Sequence, residues 1–150
     1  MSEIHRDKIL ELVKNVDHKH SVHEPVRTSE EAAQVRGVSM SSGAKALVLE
    51  GEKSGKTILV VIPAHKKVDF QKLKERTGEK FHFKENPFEA IGCVPGSVPP
   101  FGSVLGLPTF ADDALEDILN FNIGLLTESL QLSKKDYLAL EKPELGTWSK

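Results

Sequence analysis

Residues 44–62, AKALVLEGEKSGKTILVVI, decide the fold class of this 150-residue chain. Ala44–Leu49 is rich in alanine, valine and leucine. Thr57–Ile62 is a β-branched run that is apolar on both faces, as a central strand requires. The short polar turn Gly51–Lys56 between the two runs predicts a β-hairpin, which ends at Pro63.

The hairpin turn also has a partial likeness to a phosphate-binding loop, because residues 51–57 read GEKSGKT. A P-loop needs four residues between its glycines and opens a helix. Here only Glu52, Lys53 and Ser54 separate the two glycines, and a strand follows. The spacing favours a hairpin turn and argues against nucleotide hydrolysis.

Helical and extended segments alternate on both sides of the hairpin. Upstream, apolar residues at helical spacing predict a helix over 3–16, and Thr28 begins a capping box for a second helix over 29–36. The other predicted elements are an extended piece over 18–25, a helix over 70–76 capped by Asp69, a strand over 80–84, a helix beginning at Pro87, strands over 118–123 and 126–132, and a helix capped by Ser133. We therefore predict one α+β domain over 1–150, with a mixed, largely antiparallel sheet flanked by helices and a frayed tail over 143–150.

Composition and charge narrow the classes of function. The net charge is −2 and the isoelectric point is near 6.3, so the chain lacks the basic excess of a general nucleic-acid clamp. No run reaches 18 apolar residues, and residues 1–17 lack the apolar segment of a signal peptide, so we expect no membrane partner. A single cysteine excludes an intrachain disulfide and favours the cytoplasm.

Three groups of residues are candidates for chemistry, and each has a plainer alternative. Gly92–Gly106 is rich in glycine and proline, and is either a rigid connector or a loop whose N–H groups point at a ligand. Lys45 shares a strand face with two leucines, so its ammonium either reaches solvent or faces a polar pocket. Cys93 is either a nucleophile or a small packed thiol. The histidines at 18, 20 and 23 lack a cysteine or acidic ligand at matching spacing, so we expect no metal site.

Taken together, several of these residues resemble the YbaK-like aminoacyl-tRNA deacylases, the family of the prolyl-tRNA editing domain. The resemblance covers roughly residues 20–140. It lies in the order His23-x-Pro25-x-x-Thr28, then Gly43-Ala44-Lys45-Ala46-Leu47-Val48, then a Gly-x-x-x-Pro element at Gly96–Pro100, then Phe121-Asn122-Ile123-Gly124.

The resemblance implies a curved sheet and hydrolysis of the ester that joins a wrong amino acid to the 3′ end of a tRNA, without a metal or other cofactor. The implied partners are the acceptor end of an aminoacyl-tRNA and an aminoacyl-tRNA synthetase. The implied substrate is a small amino acid such as alanine, serine or cysteine on a proline tRNA, removed in trans. Lys45 is the implied catalytic residue, and the implied substrate-binding residues are His23, Thr28, Gly92, Gly96, Ser97, Val98, Pro100, Phe101 and Asn122.

Pro99 stands where many members of the family carry serine or threonine, which leaves the identity of the amino acid open. Two alternatives to the deacylase also remain at this point. A catalytically idle module that binds a tRNA or a synthetase is the first alternative. A cysteine hydrolase that acts through Cys93 is the second.

Overall fold

The computed structural model describes residues 2–25, 30, 31, 34, 40–94 and 96–150. In that part of the chain the helices are α1 (Ser2–Val13), α2 (Phe70–Thr77), α3 (Pro87–Ile91), α4 (Gly102–Leu105) and α5 (Lys134–Glu141), with a 3₁₀ turn at Met40–Ser42. The strands are β1 (His18–Val22), β2 (Ala44–Gly51), β3 (Thr57–Pro63), β4 (Phe81–Phe83), β5 (Thr109–Asp112), β6 (Ile118–Asn122), β7 (Glu128–Ser133) and β8 (Glu144–Gly146). None of the described helices is long and apolar enough to cross a membrane.

The predicted hairpin is present, and β3 lies at the centre of a five-stranded sheet in the order β4-β2-β3-β5-β8. β2 and β3 pair antiparallel from Ala44 opposite Pro63 to Glu50 opposite Thr57. The turn between them is stabilised by Glu79, whose carboxylate accepts hydrogen bonds from the backbone N–H groups of Lys53 and Ser54. Residues 51–57 therefore form a hairpin turn and not a phosphate-binding loop.

A second sheet has the order β1-β7-β6, and both of its strand pairs are antiparallel. An isolated parallel bridge between Gly43 and Asn120 joins it to the first sheet. The pairs β3–β5 and β5–β8 are parallel, so the strands are mixed but mainly antiparallel, and the predicted α+β fold is confirmed. The structure divides the strands between two sheets, whereas the sequence predicted one.

The two faces of the five-stranded sheet contribute to different apolar clusters. One face packs with the second sheet, α1 and α5 around Val48, Leu59, Phe121 and Tyr137, and we call this the main core. The opposite face, with Leu49 and Ile62, packs under α2 and Trp148, and we call this the small core. Alternation along a strand then fixes which residues of β2 belong to each side.

The helix caps follow the sequence closely. The Asp69 carboxylate accepts from the N–H groups of Gln71 and Lys72, and Gly78 ends α2 in the left-handed region. Pro87 is in the first turn of α3, and the hydroxyl of Ser133 caps α5. Of the predicted helix over 29–36, the described residues 30, 31 and 34 are helical, whereas Thr28, with which the predicted capping box begins, lies outside the described residues.

Three expectations about the chain differ from the structure. α1 ends at Val13 and not at residue 16. The strands β5 and β8 and the helix α4, each three or four residues long, were not predicted. The tail over 143–150 is not frayed: Trp148 is buried, its N–H donates to Asp112 at 2.9 Å, and Ser149 bridges Val68. A buried aromatic side chain holds this tail in place, which composition alone does not reveal.

Candidate functional site

The strands of the second sheet present a polar face opposite the main core. Leu119, Phe121, Leu130 and Leu132 point into the main core, so the residues that alternate with them point the other way. We call this set, which consists of Asn120, Asn122, Ser129 and Gln131, the polar face. Three of its members are almost fully buried, with 4 % of Asn120, 8 % of Asn122 and 3 % of Ser129 exposed. A buried polar group without a hydrogen-bond partner destabilises the fold, so the hydrogen bonds of these side chains indicate the role of the polar face.

One end of the polar face is coupled to the start of β2. The Asn120 side-chain amide donates to the Ser42 hydroxyl at 3.0 Å, and the Gln131 amide donates to the Asn120 oxygen at 3.2 Å. The parallel bridge from Gly43 to Asn120 brings the two backbones together at the same point. These contacts fix the start of β2 against the polar face, two residues before Lys45.

Lys45 continues this face on β2. Ala44, Ala46 and Val48 belong to the main core, so Lys45 points away from it, as Asn122 does. The parallel bridge places Gly43 beside Asn120. Lys45 is two residues after Gly43 and Asn122 is two residues after Asn120, so Lys45 and Asn122 lie at the same level on their strands. The predicted alignment of Lys45 with the leucines of the small core is also confirmed.

The electrostatic surroundings of Lys45 are unfavourable to its charge. The side chain is half-buried, and within the described part of the chain no carboxylate forms an ion pair with it. Burial, and then the nearby charge of Lys67, lower the pKa of the Lys45 ammonium below its ordinary value. An anion bound here would offset both effects, because it supplies the missing countercharge.

The glycine–proline loop is bonded to the second sheet at the end of β6 that carries Asn122. Gly96 has a φ of 88°, which is in the left-handed region, and Ser97 is fully buried. The Ser97 hydroxyl donates to the Val94 carbonyl at 2.8 Å, and the Ser97 carbonyl accepts from the N–H of Gly124 at 2.9 Å. Gly124 follows Asn122 by two residues, so this loop and the predicted Asn-x-Gly segment are adjacent in space.

The remaining loop residues anchor it in the main core. The Pro100 carbonyl accepts a 2.6 Å hydrogen bond from the Tyr137 hydroxyl, and the Phe101 ring packs edge-on against Phe121 and Tyr137. Val98 packs against the same cluster, and Gly92 is the C-cap of α3. These contacts anchor the loop to the main core.

Cys93 is in the main core and not in an open position. The side chain is completely buried, and burial raises the pKa of its thiol to about 11. A nucleophilic cysteine needs a lowered pKa and access to substrate. The structure therefore favours the packed thiol over the cysteine hydrolase.

His23 is bonded directly to the polar face. Its backbone N–H donates to the Thr127 carbonyl at 2.8 Å, which continues the pairing of β1 and β7 by one residue. Its ring contacts the Ser129 hydroxyl through Nε2 at 2.6 Å and the Glu24 carbonyl through Nδ1 at 2.8 Å. His18 and His20 are bonded elsewhere, to the Val16 carbonyl and the Glu128 carboxylate, so the three histidines do not converge.

The structure thus brings together most of the residues singled out from the sequence, at one end of the polar face. His23, Asn122 and the loop around Gly96 and Ser97 meet there, and Lys45 lies at the same level on β2. Thr28 lies outside the described residues. The sequence analysis missed Ser129 and Lys67; Ser129 alternates with Leu130 and Leu132, which is a signal for the polar side of a strand, whereas Lys67 carried none.

A separate cavity of about 370 Å³ lies at the far end of the hairpin, near Lys56 and Phe110. Three of its charged groups, Arg76, Glu79 and Glu144, already have partners. Arg76 forms an ion pair with Glu144, and Glu79 accepts from the hydroxyl of Ser54. Internally paired charges do not favour this cavity as the functional site.

Comparisons with known proteins identify the family of the chain. A model of the aminoacyl-tRNA editing domain family matches residues 23–140. The multifunctional Ser/Thr-tRNA deacylase ProXp-y of Escherichia coli K12 is 34% identical over 131 residues, which is 82% of this chain and 78% of that protein. A proline–tRNA ligase of Thermosipho melanesiensis is 32% identical over 107 residues, which is 69% of this chain and 18% of the ligase.

The fold has also been seen before. A crystal structure assigned as a trans-editing enzyme for prolyl-tRNA synthetase superposes with a TM-score of 0.81, at 24% identity, over 97% of this chain and 96% of that one. At this identity the match shows the shared fold alone. The stretch covered by the family model contains every residue that we place at the site, from His23 to Ser129.

Proposed function

Because this chain belongs to the aminoacyl-tRNA editing domain family, we propose that it is a deacylase that hydrolyses the ester between an amino acid and the 3′ end of a mischarged tRNA. An activated ester needs little beyond a positioned water and a group that steadies the developing oxyanion. The chemistry proposed here uses side chains and backbone alone, without a metal or other cofactor.

The observation that carries the proposal is the half-buried charge of Lys45, which has no ion-pair partner among the described residues. Its ammonium is destabilised by burial and by Lys67, and it lies beside a buried polar face. A phosphate of the terminal nucleotide would supply the countercharge, since lysine binds phosphate as a compact point charge. Lys45 then fixes the end of the tRNA so that the ester meets the loop around Gly96.

We assign the stabilisation of the developing oxyanion to the glycine–proline loop. The N–H of Ser97 is engaged with the Val94 carbonyl at 3.1 Å. We therefore assign the oxyanion to the N–H groups of Gly96 and Val98, which are held in place by the buried Ser97, Pro100 and Phe101. Donors that are fixed before the reaction need no reorganisation in the transition state.

The finer substrate assignment rests on the relatives and on the polarity of the site. We propose a small amino acid, with serine and threonine ahead of alanine and cysteine, because ProXp-y is named a Ser/Thr-tRNA deacylase and because the site is lined by polar side chains. A site built to bond a hydroxyl discriminates strongly against an analogue that lacks it. We further propose that the enzyme acts in trans in the cytoplasm, on a proline tRNA among others, and associates with an aminoacyl-tRNA synthetase; the match to a proline–tRNA ligase supports this partner.

A panel of mischarged tRNAs tests the proposal. Purified protein is incubated with seryl-, threonyl-, alanyl- and cysteinyl-tRNA on matched and unmatched tRNA bodies, and released amino acid is measured against spontaneous hydrolysis. We expect release of at least one amino acid. Binding to tRNA without release from any substrate would instead select the idle module.

A further inference from the structure

His23 is held between a carbonyl and a hydroxyl, and this arrangement fixes which of its nitrogens carries the proton. The carbonyl oxygen of Glu24 can only accept, so Nδ1 donates to it across 2.8 Å. In the neutral ring Nε2 is then unprotonated and accepts from the Ser129 hydroxyl across 2.6 Å. The chain Ser129–His23–Glu24 thus has a hydroxyl, a base and a group that orients the base, in hydrogen-bond order.

The position of this chain relative to the site adds to the argument. Ser129 lies opposite Asn122 in the β6–β7 register, and Asn122 precedes the loop-bound Gly124 by two residues. Lys45 is at the level of Asn122 on the neighbouring strand. The Ser129 hydroxyl is therefore next to the place where the proposed function puts the ester.

His20 shows by contrast what a structural histidine looks like on the same strand. Its Nε2 lies 2.7 Å from the Glu128 carboxylate, which also accepts from Arg6 at 2.8 Å. This cluster ties α1 to β1 and β7 on the side away from the polar face. Among the described residues, the His23 ring bonds to a carbonyl and a hydroxyl and not to a carboxylate, so it differs from His20 in its partners.

We propose that Ser129 and His23 form the proton-accepting pair of the deacylation, an inference that rests on the proposed function. The attacking water gives one proton to Ser129 Oγ while the hydroxyl proton of Ser129 passes to His23 Nε2. The hydroxide formed makes the new bond to the ester carbonyl carbon. The intermediate then breaks its bond to the ribose oxygen, which takes the proton back from His23 through the same hydroxyl, leaving a free amino acid and an uncharged tRNA.

Two pairs of variants test this inference against a merely structural hydrogen bond. His23→Gln keeps a hydrogen-bonding group near Ser129 but cannot accept a proton, and His20→Gln is its matched control on β1. Ser129→Ala removes the relay hydroxyl, and Ser129→Thr restores it with a β-branched side chain that suits a strand. Each protein is assayed with the best substrate of the tRNA panel for kcat, KM and the pH dependence of kcat, and urea unfolding checks that it is folded.

We expect His23→Gln and Ser129→Ala to lose about 100-fold or more in kcat, within the range for one general base, with KM changed less than about threefold. Ser129→Thr, which keeps the hydroxyl, should recover at least tenfold of the rate lost in Ser129→Ala, and His20→Gln should stay within about fivefold of the wild type. The wild-type rate should fall at acidic pH as the base is protonated, and this limb should vanish in His23→Gln. The titratable groups on β1 and β7 are His18, Lys19, His20 and Glu128, and Glu24 follows His23 in the sequence. Retention of the limb in His20→Gln separates His23 from the bonded pair His20 and Glu128.

Nitrogen NMR of the wild type gives a second measurement that does not depend on variants, and it should show neutral His23 protonated at Nδ1. Protonation at Nε2 would overturn the relay. Folded His23→Gln or Ser129→Ala with kcat within threefold of the wild type would also overturn it, as would an acyl adduct trapped on Ser129. A wild type that releases no amino acid would overturn the proposed function as well, which distinguishes the two failures.

Discussion

Replacement of Lys45 by methionine tests the charge on which the proposed function depends. Methionine keeps an unbranched apolar stem of about the same length and lacks the ammonium. At about 4 Å and an effective dielectric constant of about 20, an ammonium and a phosphate attract by about 4 kcal/mol. Desolvation of the phosphate and ordering of the side chain offset part of this, so we expect a net loss of about 2–3 kcal/mol, or about 30- to 150-fold in kcat/KM.

The same substitution should leave the fold intact. Lys45 is half-buried at the end of β2, and its charge is opposed by burial and by Lys67, so the native state gains nothing from that charge. In the folded state the pKa of Lys45 lies below its ordinary value of 10.5, so between those two values the unfolded chain binds more protons. The free energy of unfolding of the wild type should therefore rise with pH across that window, and Lys45→Met should lack this rise.

The assay is deacylation of mischarged tRNA at subsaturating substrate, with urea unfolding at several pH values. Lys72→Met on the exposed surface of α2 is the matched control and should keep both activity and stability. A folded Lys45→Met protein with kcat/KM within threefold of the wild type would refute the assignment of Lys45 to the tRNA end. Equal losses in Lys72→Met would show that the effect is a general one of net charge.

Three further predictions concern the loop, the thiol and the tRNA. Gly96→Ala places a side chain at a φ of 88° and should lose about 1–2 kcal/mol of stability and at least tenfold in kcat. The control Gly78→Ala, at a φ of 86° in the C-cap of α2, should lose similar stability and no activity. Thermal melting and turnover are measured for both variants, and equal activity in the two would mean that Gly96 serves only the turn. Cys93→Ser should lower the free energy of unfolding by about 1–3 kcal/mol, because it buries a hydroxyl in the main core, yet keep most of the deacylation rate, and intact-mass analysis should find no acyl adduct on the wild-type thiol. The affinity for tRNA should fall with salt along a log–log slope of about −2 to −3, as for about three neutralised phosphates, and a slope near −8 in salt titrations would reveal a basic surface much larger than one pocket.

Much of the fold could be predicted from local patterns. The hairpin followed from two apolar runs around a polar turn, and the caps at Asp69, Gly78 and Ser133 followed from residue types whose side chains or backbone conformations serve helix ends. The family followed from the order of short motifs, and the comparisons confirm it. These features depend on residues that are close in the sequence, which is why the sequence alone can show them.

Parallel pairing and the packed tail could not be predicted in this way. β5 pairs with β3 and β8, which lie far from it in the chain, and the stretch over 143–150 is ordered through a contact of Trp148 with Phe110. Such contacts leave no pattern in the local sequence, because the stabilisation comes from apolar surface that is buried only when the chain folds.

For the site, residue identity and order established Lys45, the loop around Gly96 and Asn122 as candidates. Only the tertiary structure decided that a parallel bridge sets Lys45 level with Asn122, that Lys67 opposes its charge, and that Cys93 points into the main core. The bond from His23 to Ser129 spans 106 positions. The charge of a group and the proton that a ring nitrogen carries depend on burial and on neighbours, and those are properties of the folded chain and not of any segment of it.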